Sequence, residues 1–160
     1  MIVNLNHSLL KPDLILIGLE ASSAEEAMRL MADVMFQKGY VKESFIQSLL
    51  EREAVHPTGI PTPIPVGLPH TGIEHCIQPG VCIGILKSPV IFGMIGAPEQ
   101  RLSTRLIFML SIVNPAEQVE MLQKVVDFFQ KTDRMQALLN AQTALEAFEI
   151  VKKGLFLEER

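Results

Sequence analysis

Apolar residues fall into two rhythms along this chain. Residues 14–19 (LILIGL) form an unbroken apolar run, short enough for a buried strand. Ser23 followed three positions later by Glu26 has capping-box form, and Ala27, Leu30, Met31, Val34 and Met35 follow at helical spacing, with Gly39 as a stop. Phe45, Ile46, Leu49 and Leu50 mark a second helix, running from about residue 42 into Glu51-Arg52-Glu53. Residues 81–86 and 90–92 read as strands, and 106–113 (LIFMLSIV) reads as a central strand, apolar on both faces. Asn114-Pro115 opens a helix with Val119, Leu122, Val125, Val126 and Phe129 as its buried stripe. Two shorter helices follow, at 135–139 and 144–151. Strands and helices interleave, so the class is α/β or α+β, with one sheet covered by helices.

Two stretches break these rhythms. Residues 79–98 carry a single charge, Lys87, before Glu99, a composition that superficially suits a membrane span. Lys87-Ser88-Pro89 interrupts the middle and four glycines weaken a helix, so two buried strands around a turn fit better. Residues 56–70 hold Pro57, Pro61, Pro63, Pro65 and Pro69, which exclude a continuous helix or an internal strand. The prolines stiffen this loop, and a stiff loop between well-formed elements is a good place for a functional group.

The 160 residues predict one domain spanning 1–160, with no repeat or linker. At 48% hydrophobic and 20% charged the chain is too apolar for disorder. A net charge of −4 with no basic stripe argues against nucleic acid as a partner. Two cysteines, Cys76 and Cys82, do not make a disulfide framework, and the first ten residues lack the basic start and apolar run of a signal peptide; both point to the cytoplasm.

No P-loop, G-x-G-x-x-G or Gly-x-Ser-x-Gly motif occurs. The chemical signal is instead histidine: of His7, His56, His70 and His75, three fall beside the proline-rich loop. In Gly67-Leu68-Pro69-His70-Thr71-Gly72 a short apolar piece delivers His70, Pro69 fixes its approach and Gly72 lets the backbone turn away. A neutral imidazole in that setting is a competent nucleophile near neutral pH; an ordinary loop histidine with a structural hydrogen bond reads equally well. Arg52 is either a solvated surface ion or a guanidinium facing phosphate oxygens, its fork braced by Glu51 or Glu53. His75 and Cys76, with His56 and His70, contain zinc-ligand types, but their spacing matches no familiar zinc pattern, and no metal or cofactor is expected.

Glu51-Arg52-Glu53, then Pro57-Thr58-Gly59, then Gly67-Leu68-Pro69-His70, resemble the sugar-specific IIA components of the mannitol/fructose type, from the bacterial phosphoenolpyruvate-dependent phosphotransferase system. The resemblance spans residues 10–155 and implies a single mixed β-sheet flanked by helices on both sides. Arg52-Glu53-Ala54 before Pro57-Thr58-Gly59-Ile60, with His75 downstream, is most similar to the galactitol type. The chain departs from the mannitol and fructose pattern where those proteins carry a second active-site histidine: the matching position is Gln118, whose amide donates hydrogen bonds without carrying charge.

The resemblance implies a relay. The histidine-containing phosphocarrier protein phosphorylates His70, which passes the group to a cysteine of a IIB component, and a IIC membrane component couples this to uptake of galactitol or a related sugar. Arg52 stabilises the equatorial oxygens, supported by Gln118 and the Thr58 and Thr71 hydroxyls, while His75 orients His70 or lies at the docking rim. Ile60, Ile64, Val66 and Ile73 are candidates for a shallow partner-contact patch. A regulatory IIA-like domain and a His/Cys metal-binding module are the alternatives.

Overall fold

The computed structural model describes residues 9–157; His7 and most of the N-terminal segment read above lie outside them. Four strands form one mixed sheet: β1 (Ile15–Leu19), β2 (Val66–Gly67), β3 (Gly80–Met94) and β4 (Ala97–Ser111). Their spatial order is β1-β3-β4-β2. The long β3–β4 pair is antiparallel and forms the spine, while β1 and β2 add on either side in parallel. The run from 106 is therefore central as far as Ser111, as its two-faced apolarity predicts, while Ile112 and Val113 lie beyond the strand.

Helices α1 (Ala24–Gln37) and α2 (Phe45–Val55) cover one face. There Met31, Met35, Phe45 and Leu49 pack with Cys82, Ile107 and Met109. Helices α3 (Pro115–Phe129), α4 (Thr132–Leu139) and α5 (Ala144–Lys152) cover the other. Val125, Phe128, Met135 and Val151 meet Val81, Ile83, Leu106 and Phe108 there. Phe129 stacks edge-on against Phe108, with ring centroids 5.0 Å apart. Alternate residues of β4 thus feed two cores, which is why the strand carries no polar face over 106–110. Among the described residues no helix is long and apolar enough to cross a membrane.

Local chemistry sets the helix starts. Ser23 caps α1 by accepting from the Glu26 amide, and Asn114 caps α3 by accepting from the Ala116 amide, with Pro115 following. The expected reciprocal bond of the capping box shifts by one residue: the Glu26 carboxylate takes the amide and hydroxyl of Ser22. Gly39 follows α1 with φ of 83°, a conformation that favours glycine.

Three expectations change. Lys87-Ser88-Pro89 is not a turn; β3 continues through it as a bulge. Leu86, Lys87, Ser88 and Pro89 oppose only Arg105, so Pro89 needs no ladder donor, and the Arg105 Nε–H donates to the Leu86 carbonyl at 2.8 Å instead. The real turn is Ile95-Gly96, where Gly96 has φ of 76°. Beyond it, β4 begins at Ala97, well before the expected residue 106. Finally, two stripe residues face outwards: Val119 of α3 is 61% exposed, with Met121 and Phe128 buried in its place, and Leu30 of α1 is 40% exposed, with Met28 and Ala32 buried instead.

Candidate functional site

The proline-rich loop is anchored along its length. Gly59 exchanges hydrogen bonds with the end of β3 and the turn beyond it, its amide donating to Gly93 and its carbonyl accepting from Ile95. Ile60 and Val66 exchange a pair of backbone bonds, folding the loop back over β2. Pro69 accepts from the Leu110 amide at 3.1 Å, tying the next segment to β4. His70 is thus delivered from β2 on a backbone held from both sides.

His70 is half-buried, and its Nδ1 lies 2.8 Å from the Leu68 carbonyl oxygen. A carbonyl only accepts, so Nδ1 carries the proton, and in the neutral ring Nε2 bears the lone pair. Burial holds the His70 pKa below its ordinary value; the bond to Leu68 opposes this shift and the Arg52 charge adds to it. The ring is therefore neutral at neutral pH.

Arg52 on the last turn of α2, His56 at its end, Thr58 and His70 line one open cavity of about 750 Å³. Its apolar wall includes Val55, Ile60, Ile95, Leu122 and Val126. Val55 is 64% exposed and Ile95 49%, so the mouth of the cavity is apolar. Of the expected contact patch only Ile60 lines this cavity. Val66 is buried in the core, Ile64 packs against the core, and Ile73 sits half-buried in a 3-10 turn beyond His70. Periodicity could not show that the turn at Ile95 and the helix face at Leu122 converge here.

The carboxylates expected to brace Arg52 are engaged elsewhere. Glu51 accepts from Gln47 Nε2 at 2.6 Å. Glu53 accepts from the Thr58 amide at 2.8 Å and from the Thr58 hydroxyl at 2.9 Å. Burial raises the Glu53 pKa, opposed by the two Thr58 bonds and then by the Arg52 charge. Thr58 Oγ1 also accepts from the Leu68 amide at 3.1 Å. Thr71 is buried with its hydroxyl on Ser48 of α2, 2.5 Å away. His75 Nδ1 lies 2.8 Å from Ser44 Oγ, and its Nε2 is 3.5 Å from Glu74. Gln118 is half-buried in the first turn of α3, one turn before Leu122, and is not among the residues that line the cavity.

Arg52, Thr58 and His70 are thus brought together, while Thr71, His75 and Gln118 sit apart from that cavity. His56, considered in sequence only as a metal ligand, joins them; its signal was its position four residues after Arg52 at the end of the same helix. Among the described residues no three histidine, cysteine or acidic side chains gather as a metal site.

A model of the family described as "Phosphoenolpyruvate-dependent sugar phosphotransferase system, EIIA 2" matches residues 8–154. The mannitol-specific phosphotransferase enzyme IIA component of Halalkalibacterium halodurans is 26% identical over 145 residues, covering 89% of this chain and 93% of that protein. The crystal structure of IIA mannitol from Escherichia coli superposes with a TM-score of 0.74 at 22% identity, over 88% of this chain and 97% of that one. The Escherichia coli complex of enzyme IIAMTL with phosphorylated enzyme IIBMTL also matches, with a TM-score of 0.73 at 22% identity, over 89% of this chain and 98% of that one.

Proposed function

Because the chain belongs to the EIIA 2 family of the phosphoenolpyruvate-dependent sugar phosphotransferase system, whose members are phosphotransferases working through a phosphohistidine, we propose that Nε2 of His70 carries the phosphoryl group. The observation that carries this reading is the 2.8 Å contact from His70 Nδ1 to the Leu68 carbonyl, which leaves Nε2 as the nucleophilic nitrogen. The Nε2 lone pair attacks the phosphorus of a phosphohistidine on the histidine-containing phosphocarrier protein. The donor's N–P bond breaks, and its electron pair returns to the donor ring. Nδ1 keeps its proton throughout, so the phosphorylated ring is cationic and leaves readily when a IIB cysteine thiolate attacks in turn.

Such a transfer depends on in-line placement and charge stabilisation more than on covalent help. Arg52 is the cation on the cavity wall, and its planar fork suits the equatorial oxygens. The apolar mouth suits partner proteins that dock briefly over His70, a phosphocarrier on one side of the cycle and a IIB component on the other. A IIC component enters only downstream of IIB, and the relay runs in the cytoplasm. The single domain of 1–160 serves only as carrier.

The substrate reading is the galactitol type, supported by Arg52-Glu53-Ala54 before Pro57-Thr58-Gly59-Ile60 and by His75. The test is incubation with phosphoenolpyruvate, enzyme I and the phosphocarrier protein, followed by mapping of the acid-labile label. His70 should carry it, His70→Ala should abolish it, and label on His75 or His56 would refute the assignment. Onward transfer to galactitol-type rather than mannitol-type IIB proteins tests the substrate.

A further inference from the structure

Glu53 is a half-buried carboxyl beside this site that the transfer scheme leaves without a task. Its neighbours form an ordered line of hydrogen bonds towards His70. The carboxylate takes the Thr58 amide at 2.8 Å and the Thr58 hydroxyl at 2.9 Å. A threonine hydroxyl has one proton. With that proton on Glu53, the Oγ1 lone pair is what meets the Leu68 N–H, at 3.1 Å. Leu68 is 3% exposed, so its amide has no water to turn to. The carbonyl of the same residue then accepts the His70 Nδ1 proton at 2.8 Å.

We propose that Glu53 is a positioning residue for His70: its carboxylate orients the Thr58 hydroxyl, which fixes Leu68, whose carbonyl selects the Nδ1–H tautomer and leaves Nε2 free. This rests on the reading that His70 Nε2 takes the phosphoryl group. It gives Glu53 a different role from bracing Arg52, since both of its oxygens face Thr58. Polarity makes the line directional. If the acceptor at the Glu53 end is lost, the Thr58 hydroxyl is free to rotate its proton towards Leu68, where a donor already stands. The amide of Leu68 is then unpaired in a buried place, and the segment that carries His70 loosens.

The experiment reads the ring directly and then the reaction. In protein labelled with 15N-histidine, His70 of the wild type should show a protonated Nδ1 and an unprotonated Nε2. Glu53→Gln, which keeps volume but removes charge and one acceptor, should give a mixed tautomer signal. It should also lower the turnover of phosphoryl acceptance about tenfold, with KM for the phosphocarrier protein unchanged. Thr58→Val should do the same, the double variant should be no worse than either single one, and Thr58→Ser should restore the wild-type tautomer. A Glu53→Gln protein with wild-type tautomer and turnover overturns the proposal, as does a double variant whose losses multiply. A wild-type protein that shows the Nδ1–H tautomer but takes no label on His70 overturns the functional reading instead, because the spectrum is recorded without any transfer.

Discussion

Gly67 is where a single methyl group should separate fold from function. A Cβ built at this position would lie 2.6, 2.7 and 2.9 Å from three ring atoms of Phe92. Comfortable carbon contacts lie at roughly 3.5–4.0 Å, so Gly67→Ala is short of room by about 1 Å. Phe92 is 1% exposed and packed among the side chains beneath α1 and α2, so the ring has little space to yield. β2 is the softer partner, a two-residue edge strand paired with β4 at Val66↔Leu106 and Gly67↔Ile107. The displacement should therefore fall on β2 and reach His70, three residues on. Overpacking of this kind costs about 1–3 kcal/mol of stability. A reacting group misplaced by about 1 Å loses on the order of 10²-fold in rate, about 2.7 kcal/mol of barrier. The assays are the urea midpoint at constant m and the initial rate of His70 phosphorylation. Gly72→Ala is the comparison. Its Cβ would meet the Glu74 carboxylate, but that side chain is 73% exposed and can swing away, so both readings should stay near wild type. Wild-type midpoint and rate in Gly67→Ala, or greater damage from Gly72→Ala, would refute the reasoning.

Arg52→Ala should slow phosphorylation of His70 far more than Arg52→Lys, with little change in the thermal midpoint, because Lys keeps the charge and loses the fork; equal wild-type rates would make Arg52 a surface ion. His70 titrates below its ordinary 6.5, so the labelling rate should stay flat as pH falls past that value and decline only below it. The same shift means the unfolded chain binds the extra proton first, so stability rises with pH between the lowered pKa and 6.5, and a pH series of urea midpoints on His70→Ala should lack that rise. Gln118 does not line the cavity, so Gln118→Ala should leave transfer near the wild-type rate; a loss of up to about tenfold, what a neutral hydrogen bond of about 0.5–1.5 kcal/mol supplies, would bring its amide into the site. Burial pushes the Cys82 thiol up to about 12, so alkylating reagents at mildly alkaline pH should leave it untouched until the protein unfolds, which mass spectrometry of the modified peptide would show.

Elements with strong local signals were legible in the chain. Ser23, Asn114-Pro115 and Gly39 act where their chemistry predicts, and the apolar run lies inside the sheet from 106 to 111. The first half of β4 was hidden because Pro98, Glu99, Gln100 and Arg101 are exposed and alternate with nothing apolar; their order comes from the partner strand, which periodicity along one segment cannot reveal. Lys87-Ser88-Pro89 imitates a turn because a bulge and a turn share their requirement for residues that need no ladder bond. At the site, His70, Arg52 and Thr58 were legible as residue types in order. Their partners were not: adjacency in sequence suggested that Glu53 serves Arg52, whereas the helix end turns it towards Thr58.

The fold-back of the proline segment also decides what the outside of the sheet offers to other chains. β2 is a rim strand, and a bare rim beside an apolar patch invites a foreign strand to add itself and start aggregation. Here Ile60 takes the outer bonds of Val66. Beyond it lie Pro61 and Pro63, both exposed and with no amide proton to offer. The cavity mouth can therefore stay greasy enough for repeated brief encounters without becoming a template for permanent ones. Replacing Pro61 and Pro63 together with strand-forming residues should leave the chemistry at His70 in place and shorten the time the protein survives at high concentration.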